Sequence, residues 1–159
     1  MIRNFKIFKE SFVPKNLEDR AKKYDLIKAE KAKEKQTLVE ELQKIVNNLK
    51  TSTIENEAEK FFVERFKNCR VEFQENENSK GIFFFDKKNN YLANYDQEEE
   101  NYFWISYKNI WKGLEEFFGY YRSEQPIRNA TKKWVEKYFG LTNVYAIDVY
   151  HMHDYSDHN

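Results

Sequence analysis

Imidazoles and carboxylates crowd the end of the chain, where His151-Met152-His153-Asp154 is followed by Asp157 and His158. All three histidines of the protein lie there. Neutral imidazole with carboxylate is a donor set for Zn, Ni, Cu or Mn, and His151 and His153, at alternate positions of an extended chain, would point to one side. With Asp154 and His158 they form the candidate metal ligands. The competing reading is a solvated polar tail, since such segments lack the surrounding hydrogen bonds that orient ligands.

Other reactive groups are scattered. Cys69 is the single cysteine, so no disulfide can form within one chain, a reducing cytoplasm is the natural setting, and the thiol reads as a small buried apolar side chain. The adjacent Glu115 and Glu116, and the acidic run 96–100, are neighbours in sequence that spacing alone does not make converge, so they read as solvated charge. Arg128, Asn129, Lys132, Lys133 and Lys137 would share the outer side of a helix over 124–139, which a helix-turn-helix arrangement could insert into a major groove. Tyr91, Tyr95 and Tyr102, if they shared an exposed sheet face, could stack on unpaired bases. None of these sets completes a catalytic constellation, and with only four Gly there is no Gly-rich phosphate loop. The expectation is a protein without enzymatic activity or cofactor.

Charge sharpens that expectation. Lys+Arg and Asp+Glu are both 27, but residues 1–35 hold eleven basic against six acidic side chains, leaving sixteen against twenty-one in residues 36–159. A basic arm therefore precedes an acidic body, which disfavours nucleic acid as the main partner. A mean hydropathy of −0.94 pulls toward an unfolded chain, whereas an aromatic content of 18% supplies large apolar surfaces for a core. Fourteen of the twenty-eight aromatics lie between residues 81 and 121. No apolar stretch approaches the length of a membrane span.

The elements that must position these groups follow from periodicity. Phe5, Ile7, Phe8 and Phe12 make a short amphipathic start before Pro14, suited to docking in a partner groove. Leu17 to about Lys50, free of Gly and Pro, predicts a long helix with a solvated middle, whose Leu38, Leu42, Ile45 and Leu49 form a stripe at coiled-coil spacing for a second copy. Ser52 with Glu55 suggests a capping box for a second helix through Lys67, with Ile54, Ala58, Phe61, Phe62 and Phe66 inward. Alternation then predicts four antiparallel strands around Val71, Ile82 to Phe85, Tyr91 to Tyr95 and Tyr102 to Tyr107, with a turn at Asp86 to Asn90. Ile110, Trp111, Leu114, Phe117 and Phe118 give one amphipathic helix ending at Gly119. Ile127, Ala130, Trp134, Val135, Tyr138 and Phe139 give another, capped by Ser123 and ended by Gly140, before a strand-like run from Val144 to Tyr150.

Within Gly81 to Leu141, the segments Phe103-Trp104-Ile105-Ser106-Tyr107, Ile110-Trp111, Leu114-Glu115 and Trp134-Val135-Glu136 resemble a small-domain pattern of proteins from tailed bacteriophages and environmental viruses that carry no assigned activity. Phe5-Lys6-Ile7-Phe8-Lys9-Glu10-Ser11 resembles the amphipathic starts of phage head-internal proteins, but no cleavage signature follows Ser11. The resemblance implies the cytoplasm of an infected bacterium, or the virion, as location. The expected fold is α+β: a helical arm over 1–50, a domain over 51–150 with a four-stranded meander covered by two C-terminal helices, and a polar tail over 151–159. The expected function is protein–protein contact, as virion or assembly component or as host-directed inhibitor, with homo-oligomers possible in principle and no membrane partner. A DNA- or RNA-binding regulator and a metal-binding protein are the alternatives.

Overall fold

Without Gly or Pro to interrupt it, Leu17–Asn47 forms one helix, α1, of 31 residues, about 46 Å at the usual rise. The computed structural model describes residues 17–75, 80–96, 101–142, 144 and 146–150. The amphipathic start and the histidine tail lie outside them. Burial along α1 is uneven: Leu38, Val39, Leu42 and Val46 are buried, all in its last third. Its earlier turns are mostly exposed and run beside β1 (Arg70–Glu75), where Lys35 Nζ lies 4.9 Å from the Phe73 ring centroid. Leu38, Leu42 and Leu49 belong to the main core with Ile45 packed against it, so the stripe predicted for a second copy is already covered by this chain. The reason is the core beside this end of α1, which gives these leucines apolar partners within the molecule. The compact body accordingly begins inside α1, not at residue 51.

Helix α2, Glu57–Phe66, starts later than the Ser52 capping box predicts. Asn56 is the cap, its side-chain oxygen accepting from the Glu59 N–H at 2.9 Å, while Ile54 N–H turns back to the Thr51 carbonyl at 3.3 Å. That turn tucks Ile54 against the core and defers the helix. Ala58, Phe62, Val63 and Phe66 form the buried face.

Five strands then make one sheet in sequence order: β1, β2 (Lys80–Phe85), β3 (Tyr91–Asp96), β4 (Tyr102–Ser106) and β5 (Ala146–Tyr150). The first four are the antiparallel meander that alternation predicts. At the β2–β3 turn, Asp86 Oδ1 accepts from the N–H groups of Lys88 and Asn90 at 2.9 and 2.8 Å, and Asn89 takes φ 68°. Gly81, at φ 133°, has no room for a side chain because a Cβ would sit 2.7 Å from the Tyr95 carbonyl oxygen. The strand-like run after Val144 turns out to be a fifth strand, parallel to β4. Parallel neighbours need a long crossover, and the two C-terminal helices supply it.

Those helices are α3 (Lys112–Phe118) and α4 (Glu124–Trp134), preceded and followed by the π-helical turns Tyr107–Trp111 and Val135–Phe139. Gly119 and Gly140 end them with positive φ, as predicted. Ser123, in contrast, makes no side-chain cap; its carbonyl accepts from Ile127 N–H instead. The centre of the core is aromatic. The Phe139 ring stands 5.2 Å from Phe66, 5.5 Å from Phe84 and 6.2 Å from both Phe62 and Phe103. On the other face of the sheet Phe83, Phe85 and Tyr91 form a separate buried cluster. A register shift at Phe84/Phe85, which sets Phe85 opposite Tyr91 and Phe84 opposite Ala93, leaves Leu92 extra. A bulge of this kind switches side-chain parity, so Tyr91 and Tyr95 do not share a face. Both are buried, which removes them as a base-stacking platform. No described helix is long and apolar enough to cross a membrane.

Candidate functional site

The residues singled out by type are mostly not brought together. Cys69 is buried, and burial, with a smaller contribution from the Asp86 charge, pushes its thiol up to about 12, which leaves no thiolate for nucleophilic work. The basic face of α4 is divided. Arg128 donates to the Ile147 carbonyl and to Glu124 Oε1, which ties it to β5 and to its own helix. Lys137 Nζ is 2.6 Å from Glu59 Oε2 and donates to the Thr53 carbonyl at 2.7 Å. Asn129 accepts from Gln125, and Lys133 stands 3.8 Å from Glu55. Lys132 and Lys133 are both exposed, and of these Lys133 is the one paired at the surface with Glu55. Phe5, Ile7, Phe8 and Phe12 lie outside the described residues, as do His151, His153, Asp154 and His158. Among the described residues no group of three or more His, Cys, Asp or Glu is placed to hold a metal.

What the fold does assemble is a carboxylate with two donors from the far end of the sequence. Glu59, in the first turn of α2, is 1% exposed. Its Oε2 accepts from Lys137 Nζ and from the Tyr138 hydroxyl, both carried on the π turn after α4. Burial works to raise the Glu59 pKa, but the hydrogen bonds from Lys137 and Tyr138 and the Lys137 charge together hold it below the ordinary glutamate value. Donating to Glu59 raises Lys137, while burial and then the bond to Glu59 raise Tyr138. Beside this cluster opens a cleft of about 460 Å³ lined by Lys44, Ile45, Asn48, Leu49, Lys50, Thr53, Lys137 and Tyr138. Nothing in the spacing of Glu59 and Lys137 announces their pairing; the tertiary fold makes it.

The second assembled feature is an aromatic corner between α3 and α4. Phe117 is 47% exposed, Tyr120 70% and Tyr121 94%. Phe117 was expected to face inward; instead it rests with one side on Phe61, 5.9 Å away, and leaves the other to solvent. Phe61 itself lies over Gly113, where a Cβ would come within 2.2 Å of its ring, and under the Arg65 guanidinium at 4.2 Å. Gly119 at φ 87° and Arg122 at φ 56° turn the chain so sharply that Tyr120 and Tyr121 project. A clue is present in the sequence, two adjacent tyrosines after a helix-ending Gly. Counting them with the aromatic block of the core hides it.

No family model matches the chain, and neither a curated protein nor a solved structure matches it.

Proposed function

We propose that this protein is non-enzymatic and acts by protein–protein contact, with the corner formed by Phe61, Phe117, Tyr120 and Tyr121 as its contact surface. The observation that carries this reading is the exposure of Tyr120 and Tyr121 on a turn held by two positive-φ residues. Apolar side chains exposed singly need no explanation, but the Phe61–Phe117 pair with Arg65 over it, followed along the chain by two exposed tyrosines, has the composition of interface hot spots. A tyrosine also loses little conformational freedom when it docks, so a fixed turn that presents two of them is suited to binding. The resemblance of Gly81 to Leu141 to phage proteins supports a role in an infected bacterium, as virion or assembly component or as host-directed inhibitor.

Two measurements test the reading. Quantitative mass spectrometry of purified particles separates its versions: stoichiometric abundance supports the virion component, and absence leaves the host-directed inhibitor alone. For the surface, the triple variant Phe117→Ser/Tyr120→Ser/Tyr121→Ser should keep its melting temperature within a few degrees, since Tyr120 and Tyr121 are largely exposed and Phe117 is covered on one side alone. It should lose at least roughly tenfold in affinity for the partner that the unaltered protein retains, because aromatic hot spots contribute about 2 kcal/mol or more each. Equal affinity of the two proteins would rule the corner out.

A further inference from the structure

The cleft between the end of α1 and the π turn is a different surface from the aromatic corner, and its lining points to a ligand class. Its volume of about 460 Å³ falls in the range of small-molecule sites, about 300–1,000 Å³. Its lining is mostly apolar, with Ile45, Leu49 and Tyr138 contributing, and three lysines are part of it: Lys44, Lys50 and Lys137. Glu59 neutralises Lys137 and, together with the Thr53 carbonyl, fixes its position. Lys44 and Lys50 have no such carboxylate among the described residues. Both stand near the C-terminal end of α1, where a cation is favoured by the helix dipole. That placement alone would account for two lysines, but not for an apolar cleft between them and a third, immobilised lysine.

We propose that this cleft binds a small amphipathic anion, an apolar or aromatic body bearing one carboxylate, sulfonate or phosphate. The body lies against Ile45, Leu49 and Tyr138, and the acid group faces Lys44 and Lys50. Lys137, locked by Glu59, serves as a fixed donor at the inner end. The Glu59 bridge thus has a positioning role: it holds the inner wall in place and takes no part in chemistry.

The probe is 8-anilinonaphthalene-1-sulfonate, titrated into the full chain and followed by fluorescence and by backbone amide shifts. Saturable one-site binding is expected, with shift changes confined to residues 44–53, 59 and 137–138. The double variant Lys44→Glu/Lys50→Glu should bind roughly tenfold or more weakly, since it turns two attractive charges near the anion into repulsive ones. Circular dichroism melts of the variant verify that its fold is intact. N-phenyl-1-naphthylamine, which has the aromatic body but no acid group, should bind more weakly than the sulfonate to the unaltered protein and equally to both proteins. No saturable binding at millimolar probe, unchanged affinity in the double variant, or shifts centred on residues 117–121 would each overturn the proposal. The last outcome would assign the apolar affinity to the corner.

Discussion

A carboxylate taken out of water must be held by donors or take up a proton, and Glu59 is held by Lys137 and Tyr138. The stability that follows has a defined pH window. Because the folded-state pKa lies below the ordinary value of 4.5, the contribution is complete above that value and is lost as pH falls through the folded pKa. Glu59→Gln should therefore lower unfolding free energy by about 1–3 kcal/mol at pH 7, and the gap between variant and parent should close in acid. Urea melts at pH 7 and at about pH 3 check this; a gap that stays constant with pH would show that the charge of Glu59 is not what stabilises. Glu59 was missed by sequence reasoning for a simple reason. A glutamate in the first turn of a helix is common and is ordinarily explained by the helix dipole, and only the approach of a chain segment 78 residues later gives it another task.

Secondary elements are stitched by side chains whose role depends on what passes beside them. Gln43 of α1 donates from Nε2 to the Cys69 carbonyl at 2.8 Å and accepts at Oε1 from the Val71 N–H at 2.9 Å, so one amide serves two main-chain groups at the start of β1. β1 is an edge strand, and its outer N–H and C=O groups would otherwise be left to solvent or to another chain. Gln43→Leu is expected to cost about 1–3 kcal/mol by orphaning both groups, while Gln36→Leu, whose amide donates to Glu40 on the same exposed helix face, should change stability by less than about 0.5 kcal/mol. Chemical denaturation of the two variants compares them, and similar costs would refute the clamp. Boundaries of the elements were legible where a local signal dominates, as at Asp86 to Asn90, Gly119 and Gly140. They were misread where two local signals compete, as when Asn56 rather than Ser52 caps α2.

Across the whole molecule, α1 divides into a part that is core and a part that is not. Leu42 is fully buried and Leu26 is nearly half exposed, although both sit in one uninterrupted helix. Leu42→Ala should destabilise by about 2–5 kcal/mol through the cavity it leaves, and Leu26→Ala by less than about 0.5 kcal/mol. Thermal and urea melts decide; comparable losses would mean that the first turns of α1 are packed as tightly as its last. The same contrast separates the leucine stripe from a dimer seam. Coiled-coil spacing specifies an apolar face, and the sheet supplies the surface that covers it.

By itself the sequence determined the class of fold, the meander, the two helices that follow it and the turns at Asp86 to Asn90, because each rests on propensity and periodicity within a few residues. Tertiary structure decided the rest. Strand β5 joins the sheet parallel to β4 only because α3 and α4 span the crossover. Tyr91 and Tyr95 part company because a bulge at Leu92 changes parity, a shift that alternation cannot foresee. The Glu59 bridge, the cleft beside it and the projecting Tyr120 and Tyr121 depend on how distant segments close on one another, and contacts of that kind leave no periodic trace in a single chain.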